Sequence, residues 1–188
     1  MKFKFSKQEL KDLLIADVML SIAFTIVFAG LKAESILIFP MMFLVMTFSF
    51  IIHELAHKYF AQKFKYHAEF RANKNLLFIT ILLSIFGFII AAPGAVYISG
   101  HYNIKKHGII AAAGPASNVI LSIIFLILSF TTSIGIFYYI YFINAILAVF
   151  NMLPIQIFDG HKVWRWNKAI YAVIGIIALV MYVFPYFI

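Results

Sequence analysis

Six apolar stretches, at about 13–30, 36–62, 76–99, 108–130, 134–153 and 168–188, are separated by short segments that hold almost all of the lysine and arginine residues. Each stretch comes close to or exceeds the roughly 20 residues that a helix needs to cross a hydrocarbon core. No segment between them is long enough for a separate soluble domain. The pattern predicts an all-α polytopic membrane protein with five or six transmembrane helices, organised as one membrane-embedded domain over residues 1–188.

Composition strengthens this reading. The chain has 188 residues, of which 64% are hydrophobic and 12% charged, far from the balance of a soluble domain. Lys2, Lys4, Lys7 and Lys11 give the first stretch the basic flank of a signal peptide, but Asp12 and Asp17 interrupt it and no small-residue cleavage site follows. It is therefore expected to be retained as a first helix. The formal charge of +8 is scattered through short loops and forms no basic face with interleaved aromatic residues. Such charges act as topology signals facing lipid headgroups, so the lipid bilayer is an expected partner and nucleic acid is not. With no cysteine, disulfides, thiolate zinc sites and cysteine nucleophiles are excluded.

The basic loops constrain the threading. If the N-terminus lies in the cytoplasm and all six stretches cross, Lys105 and Lys106 are exported, and later Lys162, Arg165 and Lys168, against the positive-inside tendency. If the segment 76–99 instead enters and returns on one side, every basic loop is cytoplasmic and Thr131-Thr132-Ser133 faces outward. Ala91-Ala92-Pro93-Gly94-Ala95 offers the place for the return, and Val96-Tyr97-Ile98 is then expected to run extended. Irregular backbone at that depth has to be covered by protein or line a wet cavity. An ordinary kinked crossing is the alternative. The expected location is the cell membrane, multi-pass, with the N-terminus and the polar loops on the cytoplasmic side.

Inside the second stretch stands His53-Glu54-Leu55-Ala56-His57. An ionisable side chain at membrane depth costs at least about 2.5–3.5 kcal/mol, so it points to a function facing protein or water. The i, i+4 spacing puts both imidazoles on one helix face, where they can share one Zn²⁺. Glu54 lies about 100° round the helix from His53, as suits a base that holds water without ligating the metal.

A catalytic zinc site normally has three protein ligands and one open position. Outside the motif the acidic residues are Glu9, Asp12, Asp17, Glu34, Glu69 and Asp159. Glu9, Asp12, Glu34 and Glu69 read as surface residues, the last two beside Lys32 and Arg71. Asp17 lies one turn into an apolar helix, either snorkelling to the interface or forming a gate contact. Asp159, between a proline-broken segment and Gly160, is the better ligand candidate, with a solvated loop acid answering Lys162 and Arg165 as the alternative. Asn144 reads as helix packing. His67, His101, His107 and His161 read as polar surface, and Trp164 and Trp166 as an interfacial anchor.

Three patterns in order, His53-Glu54-x-x-His57, Gly114-Pro115-x-x-Asn118 and Asn151-x-x-Pro154-x-x-x-x-Asp159-Gly160, resemble the motifs of the site-2 protease family of intramembrane zinc metalloproteases. The likeness covers roughly residues 36–166 and leaves the stretches 13–30 and 168–188 as flanks. It implies one Zn²⁺ per chain held by His53, His57 and Asp159, with Glu54 as catalytic base. It also implies Asn118 and Asn151 as active-site polar residues facing the substrate peptide or the developing oxyanion. By the same likeness a re-entrant segment follows the first motif. The chain departs from common members in lacking an inserted PDZ domain and in continuing the third motif as Gly160-His161.

The expected activity is hydrolysis of peptide bonds in transmembrane or membrane-anchored protein substrates. A helical substrate hides its carbonyls and must open locally, and the extended Val96-Tyr97-Ile98 stretch is a place where it can pair as an added strand. Two other classes fit the same polar residues: an ion or metal transporter using them as a path, and a membrane-helix binding protein that does not cleave.

Overall fold

The computed structural model describes residues 3–89 and 93–187. Helix α1 (Lys7–Ala29) starts where the Ser6 hydroxyl accepts the Glu9 N–H at 3.0 Å, a side-chain N-cap. The second apolar stretch forms one continuous helix, Phe39–Lys63, built from α2 (Phe39–Met46), a π-helical turn (Thr47–Ile51) and α3 (Ile52–Lys63). There follow β1 (His67–Ala72), α4 (Lys74–Ser84), β2 (Gly94–Ser99), α5 (Ile104–Thr131), α6 (Ile136–Asn151), α7 (Asp159–Trp166) and α8 (Lys168–Val183).

Among the described residues four helices are long and apolar enough to cross a membrane: Lys7–Ala29, Phe39–Lys63, Ile104–Thr131 and Lys168–Phe187. The all-α polytopic membrane class expected from the sequence is the class observed. The stretch 134–153 forms a shorter helix, α6, whose 16 residues extend about 24 Å at the usual rise, less than a hydrocarbon core of about 30 Å.

The segment 76–99 is where the fold departs from helices. Strands β1 and β2 pair antiparallel, from His67 opposite Ser99 to Ala72 opposite Gly94. Just beyond the strands the Asn73 N–H donates to the Pro93 carbonyl at 2.9 Å. The excursion between them therefore leaves and returns at one point, as expected of a re-entrant segment and not of a one-way crossing. Val96-Tyr97-Ile98 is extended. Of the expected return, Ala91 and Ala92 lie outside the described residues.

The largest core joins α1, α2, α5 and α6 through Leu20, Met42, Val45, Met46, Phe125 and Ile143. A second cluster packs α5 against α7 through Ala111, Ala112, Met152 and Val163. Three acidic residues expected near the surface are inside. Glu9 is fully buried against Lys58, Asp12 is buried and accepts from Gln8 Nε2 at 2.7 Å, and the buried Asp17 does not snorkel. The Oδ2 of Asp17 accepts from the Thr47 hydroxyl at 2.7 Å, because the chain packs α1 directly on the π-helical turn. Glu69 does pair with Arg71, at 2.8 Å.

Candidate metal centre

The helix Phe39–Lys63 carries His53 and His57 one turn apart, and their Nε2 atoms approach to 2.9 Å. Asp159, the first residue of α7, comes to the same point from the far end of the sequence. Its Oδ2 lies 2.9 Å from His57 Nε2 and 3.4 Å from His53 Nε2. Two close approaches allow this. A Cβ built on Gly114 of α5 would overlap the His57 ring and crowd His53, so only glycine lets α5 lie against the pair. A Cβ on Gly160 would overlap the backbone of Met152, so glycine also lets α7 begin against the end of α6.

The hydrogen bonds determine which ring nitrogens face inward. His57 Nδ1 lies 2.7 Å from the Ile110 carbonyl, which can only accept, so Nδ1 carries the hydrogen. The Asn118 amide nitrogen donates to the Ser49 carbonyl at 2.9 Å and to Asn144 Oδ1 at 2.7 Å. Asn118 Oδ1 must therefore accept from His53 Nδ1, at 2.5 Å. Asn144 is oriented in turn by donating to the Ile140 carbonyl and the Ser49 hydroxyl, each at 2.8 Å. When neutral, both rings thus turn a bare Nε2 lone pair toward the Asp159 carboxylate.

Three acceptors with no hydrogen among them repel unless a cation lies between them. Ligands about 2.0–2.1 Å from a tetrahedral zinc stand about 3.3 Å apart, close to the separations here, and two imidazoles with one carboxylate are a normal catalytic zinc set. His53, His57 and Asp159 therefore fit a metal ion. Burial raises the Asp159 carboxyl, but with a proton standing in the cation's place His57 and His53, helped by the Lys162 ammonium, hold it well below the ordinary carboxylate value, so it is anionic.

The cavity at this point is lined by His53, Glu54 and His57, by Asn151 and Asp159, and by Val96 and Ile98 of β2. Among the described residues the buried Glu54 Oε2 has no hydrogen-bond partner. Asn151, at the end of α6, donates to the Leu147 carbonyl at 3.0 Å and borders the cavity. Asn118 does not border it. The polar contacts of Asn118 are all made to protein, and none of its N–H groups is left for a substrate oxygen.

Some residues of the site were not singled out from sequence. Asn144 and Ser49 complete the chain of bonds behind His53; a second asparagine within an apolar helix was the available signal. His107 was read as surface, yet it lines the cavity and its buried Nε2 has no hydrogen-bond partner among the described residues. It shares a face of α5 with Ile110 and Gly114, a spacing visible in the sequence. Lys162, read as a basic loop residue that Asp159 could answer, lies 3.6 Å from Asp159 Oδ1.

The fold and site define a polytopic membrane protein with two histidines and one carboxylate placed to hold a metal ion. Comparison with known proteins assigns the family. The chain is 41% identical over 181 residues to a protein of Methanocaldococcus jannaschii provisionally named a zinc metalloprotease, covering 93% of this chain and 92% of the relative. A Bacillus subtilis protein of the same provisional name is 31% identical over 147 residues, 66% of this chain and 67% of its own. The chain belongs to this zinc metalloprotease family. No family model matches it, and no solved structure does.

Proposed function

We propose that the protein is an intramembrane zinc endopeptidase of the site-2 protease class, cleaving transmembrane or membrane-anchored protein substrates on the cytoplasmic side of the cell membrane. The observation that carries this reading is the convergence of His53, His57 and Asp159 on one point, with Glu54, whose Oε2 has no hydrogen-bond partner among the described residues, beside them in a cavity bordered by a strand. A transporter needs no such strand beside its metal ligands, and a non-cleaving binder needs no metal ligands beside its strand.

His53, His57 and Asp159 would hold the ion. Zinc, when bound, supplies the Lewis acidity that polarises a scissile carbonyl and activates water near neutral pH. Glu54 takes a proton from the attacking water as its oxygen bonds to the carbonyl carbon. It passes that proton to the amine nitrogen as the C–N bond breaks. Asn118 orients His53 from behind, and Asn151 offers its side chain to the docked peptide. The backbone of β2 receives the unwound substrate as an added strand, which gives binding tolerant of sequence.

The test is zinc analysis of the purified protein together with an assay on a generic transmembrane peptide. The unsubstituted chain is expected to hold one zinc and cleave in a chelator-sensitive manner. Glu54→Gln is expected to keep zinc and lose cleavage, and His57→Ala to lose both. No peptidase activity in the unsubstituted chain, with an ion flux that either substitution alters, would overturn the proposal.

A further inference from the structure

Lys58, the residue after His57, is enclosed in the protein. Its ammonium donates to both carboxylate oxygens of Glu9, at 2.6 and 2.5 Å, and to the Ala68 carbonyl at 3.0 Å. Glu9 Oε1 also accepts the Phe70 N–H at 3.0 Å. The two residues are 2% and 0% exposed, and the Phe5 ring lies over the ammonium at 4.6 Å.

The strand register explains which backbone groups these are. The bond from Asn73 to Pro93 sets the alternation, so Glu69 and Arg71 turn their backbone groups to β2 while Ala68 and Phe70 turn theirs away. The Ala68 carbonyl and Phe70 N–H are the groups that a neighbouring strand would bond. Lys58 and Glu9 occupy them instead, an ion pair standing where a third strand would lie. On β2 the corresponding outward groups belong to Gly94, Val96 and Ile98, and among the described residues none of them has a partner. These three residues line the cavity with Glu54 and the histidines. The two-stranded sheet therefore has one edge occupied at these positions and the other open toward the candidate centre.

Stability alone is a poor reason for such a pair, because apolar residues of similar volume often serve a core as well or better. Its geometry does more. It spans from the helix of the two histidines to the strand that carries β2. We propose that Lys58 and Glu9 are positioning residues: they close the outer edge of β1 and hold the open edge of β2 at a fixed height against His53, Glu54 and His57, which sets the peptide bond presented for cleavage. This rests on the reading that β2 docks the substrate.

The test uses the absence of cysteine from the chain. Tyr59→Cys and Tyr97→Cys, at exposed positions on α3 and β2, take spin labels whose separation reports the height of the strand. The single variant Lys58→Met leaves Glu9 buried without a counter-charge. The double variant Glu9→Gln, Lys58→Met removes both charges while keeping an acceptor for Phe70, so folding is preserved. In the double variant the labels are expected to give a shifted or broadened distance, with one zinc per chain and helical content unchanged. Lys58→Arg, which keeps charge and donors, is expected to restore a narrow distance. On a transmembrane peptide the double variant is expected to raise KM about tenfold, leave kcat within about twofold, and add products cut two residues away, the period of a strand. An unchanged distance and cleavage pattern, or loss of zinc from the double variant, would overturn the proposal. If the unsubstituted chain cleaves nothing, the endopeptidase reading fails, and the label distance alone still decides whether the pair holds the strand.

Discussion

His57 donates its Nδ1 hydrogen to the Ile110 carbonyl at 2.7 Å, and this bond turns its bare Nε2 toward Asp159. The carbonyl comes from α5 just ahead of Pro115, whose missing N–H frees the acceptor at Ala111 and loosens that turn of the ladder. A backbone acceptor cannot be removed by substitution, so the partner of His53 is the one open to test. Asn118→Ala is expected to lower zinc affinity about 10–100-fold, the usual cost of removing an outer hydrogen-bond partner of a metal ligand. Competition with a chelator measures this, and unchanged affinity would count against the orienting role of Asn118.

Gly114 offers a steric test of the same centre. Gly114→Ala puts a methyl group into the space of the His57 ring, and overpacking of this kind costs about 1–3 kcal/mol. Zinc content and thermal unfolding are both expected to fall. Gly135, where an added Cβ meets nothing, is the control, and Gly135→Ala should leave zinc content as it was.

Acid is expected to release the metal by way of the imidazoles. Only neutral histidine binds zinc, and an ordinary imidazole protonates near pH 6.5, so affinity falls as pH drops through that region. Asp159, held below the ordinary carboxylate value, stays anionic throughout. Its own contribution to folding is complete above the unfolded carboxylate value of 3.8 and is lost only as pH falls further, through its lowered folded value. Zinc retained per chain after equilibration from pH 8 to pH 4 checks the order; loss confined to the carboxylate range would contradict it.

The alternation along β2 separates docking from folding. Val96 and Ile98 point their N–H groups away from β1, so proline at either position removes a hydrogen that the sheet does not use. Val96→Pro and Ile98→Pro are expected to keep zinc and raise KM for a transmembrane peptide. Tyr97→Pro removes a hydrogen directed at Glu69 and is expected to disturb the strand pair itself. Equal KM values for Val96→Pro and the unsubstituted chain would refute docking on this edge.

Much of this architecture was legible in the sequence because lipid imposes simple rules. The basic loops favoured a return of 76–99 over a kinked crossing, and the Ala72–Gly94 pairing closes that excursion. The i, i+4 histidines needed a third ligand, and Asp159 reaches them. The buried acids were less legible. Glu9 and Asp12 sit in a lysine-rich segment that looks solvated, and nothing local shows that Lys58, 49 positions away, comes to Glu9. Asn144 was read as packing because one asparagine in an apolar helix does not declare its partners. Its bond to Asn118 arises only when α5 and α6 lie side by side.

That polar node also fixes the vertical alignment of three helices in a slippery medium. Sliding α6 by one turn would bring Ile140 or Ala148 level with Asn118, leaving an amide hydrogen of Asn118 and an acceptor lone pair of Ser49 facing hydrocarbon. Leucine and isoleucine surfaces tolerate such slips, since lipid tails solvate them equally well at any height. Two asparagines and a serine thus act as an indexing pin, admitting one depth for each helix.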